Sequence, residues 1–167
     1  MTPSRFFLSQ QLIPGLINAA LNGGIAWAQH AQSPAVGLWD SGAYGTDLLA
    51  TGFLLPAISW LILLPLLQHQ RTQGTAPSLN GLRRPRLLAW MPSSRWGGCL
   101  TIGLLGMILL GGTAALAASL LGQPAFTGHD YAWLKAAYAA ILTLTLQPTI
   151  VFAALRPAHT KGQPIRA

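Results

Sequence analysis

Apolar residues run through this chain in four long blocks, separated by stretches rich in Gly, Pro, Ser and Gln, a pattern that predicts helices rather than strands. The blocks fall at 8–31, 47–67, 98–122 and 131–155. Each has about the 20 residues that a helix needs to cross roughly 30 Å of hydrocarbon. The expected fold class is therefore all-α, a polytopic membrane protein with four transmembrane helices. Segments 32–46, 68–97 and 123–130 read as loops, because Gly and Pro end or interrupt helices.

Shifting the chain by 83 residues lays Asp47 on Asp130 and Pro65 on Pro148, each pair bracketing one span. Ala57/Ala140, Ile58/Ile141, Leu61/Leu144 and Leu63/Leu146 coincide within those spans, and Gly15/Gly98, Leu21/Leu104, Gly23/Gly106, Ile25/Ile108 and Ala31/Ala114 in the spans before them. The Asp, Pro and Gly matches carry most weight, since Leu and Ala coincide easily in such a composition. The expected organisation is one membrane domain of two tandem repeated hairpins, 1–71 and 97–156, joined by a basic loop, 72–96, and followed by a flexible basic tail, 157–167. Units with an even number of spans keep the same orientation, so a pseudo-two-fold axis would run along the membrane normal.

Composition agrees. Hydrophobic residues make up 51% and charged residues 8%, against about a quarter charged in a soluble domain. Ten Lys/Arg against three acids give +7, yet the cations lie between apolar runs, which argues for lipid and against nucleic acid. Arg5 precedes the first span, Arg71, Arg83, Arg84, Arg86 and Arg95 fill the central loop, and Arg156, Lys161 and Arg166 follow the last span. Positive loops stay inside, so both termini are expected inside, with Arg83, Arg84 and Arg86 against anionic lipid headgroups. Trp27, Trp39 and Trp133 are expected at the outer interface, Trp90 and Trp96 at the inner one. Arg5 followed by Ala26-Trp27-Ala28 fits a cleavable signal, but the apolar stretch is long and broken by Pro14, Asn18 and Asn22, so the first span is read as retained.

Candidate chemistry is sparse. On the first helix Gln11, Gly15, Asn18, Ala19, Asn22 and Ala26 share one face. Amides in hydrocarbon need partners, either a neighbouring helix, the commoner use, or a solute pathway. Pro56 frees the carbonyl of Gly52, and Gly52 and Ser59 share its face; a packing kink is the simpler reading, part of a site the bolder one. Asp47 and Asp130 each begin a helix and are expected to cap it or to stand as outer-face charges. Lys135, one turn inside the fourth span, is expected to snorkel outward; the alternatives are a pair with Asp47 or attraction of an anionic solute. Tyr138, Thr145 and Thr149 share its face. Gly111, Ala115 and Ser119 form a small-xxx-small series for helix packing, within the chain or against another subunit. One cysteine, Cys99, excludes an internal disulfide. The four histidines are dispersed, so no metal site and no cofactor is expected, and no nucleophile-base arrangement points to an enzyme.

The run Pro14-Gly15-Leu16-Ile17-Asn18-Ala19-Ala20-Leu21-Asn22-Gly23, followed by a Pro-bearing second span, resembles small four-span bacterial inner-membrane proteins of unassigned function, some labelled permeases. The resemblance covers the first hairpin best and the second only through the repeat. It implies an inner-membrane location and a transport role, and it assigns no residue. The expected function is participation in transport of a small solute, as a homo-oligomer or part of a carrier; the alternative is an accessory or assembly subunit of a larger membrane complex.

Overall fold

Thr2 opens the first helix, its hydroxyl accepting the backbone N–H of Arg5 at 3.4 Å ahead of a helix that starts with Pro3. In the computed structural model, which describes residues 2–39, 42–76, 84–92, 94–122 and 125–156, the elements are α1 (Pro3–His30), β1 (Val36–Gly37), α2 (Tyr44–Thr72), a short 3-10 turn (Arg86–Trp90), α3 (Arg95–Leu120), β2 (Ala125–Phe126) and α4 (Gly128–Ala154). Arg83, Lys161 and Arg166 lie outside the described residues. The four helices sit where the apolar blocks predict. Three of them, α2, α3 and α4, are long and apolar enough to cross a membrane, as a multi-pass membrane protein requires. α1 is equally long, but Gln10, Gln11, Asn18 and Asn22 dilute its apolar character.

The helices pack in the order α1, α4, α2, α3. α1 lies along α4 and hardly meets α2, although the two are consecutive, while α2 packs on both α3 and α4. Both α1 and α2 thus pack against a helix from the second half of the chain. β1 and β2 pair antiparallel, Val36 with Phe126 and Gly37 with Ala125, tying the two connecting loops together at one end. Asp47 and Asp130 lie at that end, called the acidic end below. Arg5, Arg71, Arg84, Arg86, Arg95 and Arg156 collect at the opposite, basic end, where Arg71 donates to the carbonyl of Arg156 and Arg156 to that of Leu88. Trp27, Trp39 and Trp133 are exposed toward the acidic end, Trp90 and Trp96 toward the basic one. Trp60 is buried instead, its indole N–H donating to the carbonyl of Arg95 at 2.9 Å.

α3 contains a π segment, Met107–Gly112, that the apolar pattern does not announce. Wider turns displace the backbone ladder, and the Thr113 hydroxyl answers by donating to the carbonyls of Leu109 at 2.5 Å and Leu110 at 3.2 Å. Gly74 (φ 71°) and Gly122 (φ 64°) close α2 and α3 in the left-handed region that a glycine enters without strain.

One expected helix cap, Asp47, is corrected. α2 is capped by Ala43, without any side-chain bond, and the Asp47 carboxylate turns away from the helix end. On α4 the cap is Thr127, whose hydroxyl accepts the Asp130 N–H at 3.2 Å and donates to its carboxylate at 2.7 Å, so Asp130 takes part in the cap from the first turn. Thr127→Ala is expected to lower stability by about 1 kcal/mol in chemical unfolding, with an unchanged ion pair at Asp47; a neutral effect would show that this end of α4 is held by β1 and β2 alone.

Candidate functional site

Tyr131 and Lys135 are one helical turn apart on α4, so their side chains share the face turned toward α2. Asp47, in the first turn of α2, meets both: its carboxylate accepts from the Tyr131 hydroxyl and from the Lys135 ammonium. The Lys135 side chain is only 7% exposed, that of Asp47 36%. The expectation that Lys135 snorkels outward is thereby corrected to the ion pair. Its stem is enclosed between α4 and α2, and a buried ammonium without a counter-charge would cost several kcal/mol, so the nearest carboxylate takes it. The Tyr131 ring lies 6.0 Å from the ammonium, edge-on to His30 at 5.5 Å and 6.0 Å from Tyr44, which packs on Phe126 at 5.1 Å. Residues from α1, α2, β2 and α4 thus surround one polar triad.

One turn deeper, the Tyr138 hydroxyl donates to the Leu48 carbonyl at 3.0 Å. Here the helices touch backbone to backbone. A methyl on Gly52 would lie 2.7 Å from the Tyr138 oxygen, and one on Gly111 3.1 Å from the Leu48 carbonyl oxygen. A methyl on Gly106 would overlap the Gly52 carbonyl, the group left over by Pro56. That carbonyl is therefore covered by a bare glycine of α3. Gly111 and Ala115 are buried against α2, whereas Ser119 is exposed. Ser59 lines a small cavity between α2 and α4 with Pro56, Thr143 and Gln147; at about 10 Å³ it has room for a single water.

The amide face of α1 docks on α4. Asn18 donates to the Thr143 hydroxyl at 2.9 Å, Thr143 to the Ala139 carbonyl at 2.8 Å, Asn22 to the Asn18 carbonyl at 2.9 Å, and Gln147 to the Gln10 carbonyl at 2.6 Å. Gln11 is half-buried, two turns from Asn18, and Gly15 rests on Leu144. The structure thus uses Asn18 in helix contact and Asn22 on the backbone of its own helix, both apart from the Lys135 pair. Thr149 is fully buried with no partner for its hydroxyl, while Thr145, expected on the same face, is exposed and donates to the Ile141 carbonyl at 2.7 Å. Arg84 and Arg86 are exposed at the basic end. Among the described residues no group of His, Cys, Asp and Glu could hold a metal ion.

The sequence reading missed Tyr131, although its spacing of four from Lys135 places the two on one face. It also missed the role of Tyr44, which only the fold brings near. Comparison with protein-family models, with curated proteins and with solved structures gave no match.

Proposed function

We propose that this chain is a four-span integral membrane protein that takes part in moving a small solute, with Asp47, Lys135 and Tyr131 as its polar station. The observation that carries this reading is the enclosure of Lys135, paired with Asp47, between helices apolar enough to span a bilayer. An enclosed charge within a membrane-spanning helix is expensive and is kept mainly where it serves an ion or solute path. Pro56 of α2, which frees the Gly52 carbonyl, and the π segment of α3, which begins beside Gly106 opposite that carbonyl, support it as the place where the helices could part. α1 is taken as the fourth span, since Leu12, Ile13, Leu16, Ile17, Leu21 and Ile25 are exposed on its outer side. The arginines of the basic end support an arrangement with both termini at the inner side of a bacterial inner membrane and with Arg84 and Arg86 against anionic headgroups. Four spans enclose little volume, which favours a homo-oligomer or a carrier partner.

We further infer that the halves are copies. Gly15 and Gly23 of α1 contact Leu144 and Ala136 of α4, and Gly98 and Gly106 of α3 contact Trp60 and Gly52 of α2. The 83-residue shift carries Leu144 to Leu61 and Ala136 to Phe53, each one residue from the contact made by the matching glycine.

The test is solute uptake into vesicles holding the purified protein, with a panel of amino acids, carboxylates and sugars. Uptake above empty vesicles is expected for the natural chain, and its loss is expected in the Asp47→Leu, Lys135→Met double variant. Uptake that is the same in both would remove the pair from the path. The second reading, an accessory or assembly subunit, is favoured by the use of Asn18 in helix packing. A stoichiometric second protein retained on extraction would support it.

A further inference from the structure

Between the acidic-end halves of α1 and α4 runs a groove of about 380 Å³, floored by Ala20, Gly23, Gly24 and Ala136, with Trp27, Trp133 and His129 at its mouth. We propose that this groove holds one acyl chain of a membrane phospholipid. Its floor carries no charge and no side-chain hydrogen-bonding group, so the part of an occupant that enters it is hydrocarbon. Its mouth is built for headgroup depth. Trp27 and Trp133 are 54% and 69% exposed, and the Trp133 indole N–H donates to His129 at 3.4 Å, amphipathic groups of the kind that gather at a bilayer surface. The space takes roughly a dozen methylenes, each given about the 30 Å³ of a liquid water. A leucine protruding from a second copy would fill a small fraction of it, which favours a chain over a docking helix.

The other half of the molecule shows the same place filled. A methyl on Gly103 of α3 would lie 2.9 Å from the Phe53 ring, so that ring covers α3 closely. The 83-residue shift carries Gly103 and Phe53 to Ala20 and Ala136, two residues of the groove floor. It carries Met107 to Gly24, where an added Cβ would meet nothing within 4 Å. One interface supplies its own apolar side chains, and its counterpart omits them. This comparison rests on the duplication reading; the groove itself does not.

The experiment uses the full chain in bilayers of phosphatidylglycerol that carry a photoreactive diazirine along one acyl chain. After irradiation, adducts are mapped by peptide mass spectrometry. Adducts are expected to concentrate on residues 19–24 and 132–136, above the exposed α3 positions Ile108 and Leu116. In Gly24→Met they are expected to fall by about tenfold, the loss of occupancy that follows when a few methylene contacts are blocked. Even labelling of all membrane-facing positions, or an unchanged yield in Gly24→Met, would overturn the proposal. So would a change of oligomeric mass in Gly24→Met with labelling intact, because the occupant would then be a second copy. Should Gly24→Met not fold, Ala20→Leu on the exposed side of α1 blocks the same space. Groove labelling stands or falls whether or not the halves are copies, and whether or not the protein carries a solute.

Discussion

Asp47→Leu is expected to lower stability by about 3–5 kcal/mol, the loss seen when a buried ion pair is broken by removing one partner. The size follows from which partner remains. Lys135 is almost completely enclosed, with Asp47 as its counter-ion, so removing Asp47 leaves an enclosed ammonium without its counter-charge. The reverse change is milder. After Lys135→Met, Asp47 remains about a third exposed and keeps its bond from Tyr131, so a loss of about 1–2 kcal/mol is expected. The double variant, Asp47→Leu with Lys135→Met, is expected within about 1 kcal/mol of the natural chain, since well-packed apolar residues often replace a buried pair without loss. Unfolding in mixed detergent micelles, followed by circular dichroism, gives all three values and the coupling between the sites. Equal losses for the two single variants would show that Lys135 has another partner or reaches water.

Gly106→Val is expected to be nearly as damaging, at about 3 kcal/mol, the upper part of the range for overfilled cores. Its first added carbon would overlap the Gly52 carbonyl, and it would lie 2.9 Å from Pro56 Cγ and 3.1 Å from a Leu146 methyl. Two of these neighbours are constrained, a backbone carbonyl and a proline ring, so α2 and α3 must separate. Separation would also expose the carbonyl that Pro56 leaves without its helical donor, a second penalty in an apolar setting. Gly24→Ala is the matched control. Its new carbon meets open space, and a helix gains about 0.5–1 kcal/mol when alanine replaces glycine. The same unfolding measurement separates the two, and a tolerated Gly106→Val would mean that α3 can slide on α2.

Much of the architecture is legible in the chain because membrane helices announce themselves by length and apolarity. Amides were harder to place. Asn18 has to meet protein or water in any arrangement, but whether it meets Thr143 or lines a path depends on which helix lies against α1. Chain order suggests α2; the structure puts α4 there. Lys135 shows the same ambiguity, since snorkelling and pairing are both open to a lysine one turn inside a span. The choice was made by Asp47, 88 residues away, lying across from it.

The helical class, the positions of the four long helices and the segregation of arginines from carboxylates can be read along the chain. Each of these follows from local composition, from residues within a few turns of one another. The order α1, α4, α2, α3, the enclosure of Lys135 beside Asp47, the cover of the Gly52 carbonyl by Gly106 and the open groove beside Gly24 emerge only when the helices pack. Those are set by which faces of distant helices meet, and apolar helices of similar composition have nearly equal claims on one another until close packing of glycines and pairing of buried polar groups select a single arrangement.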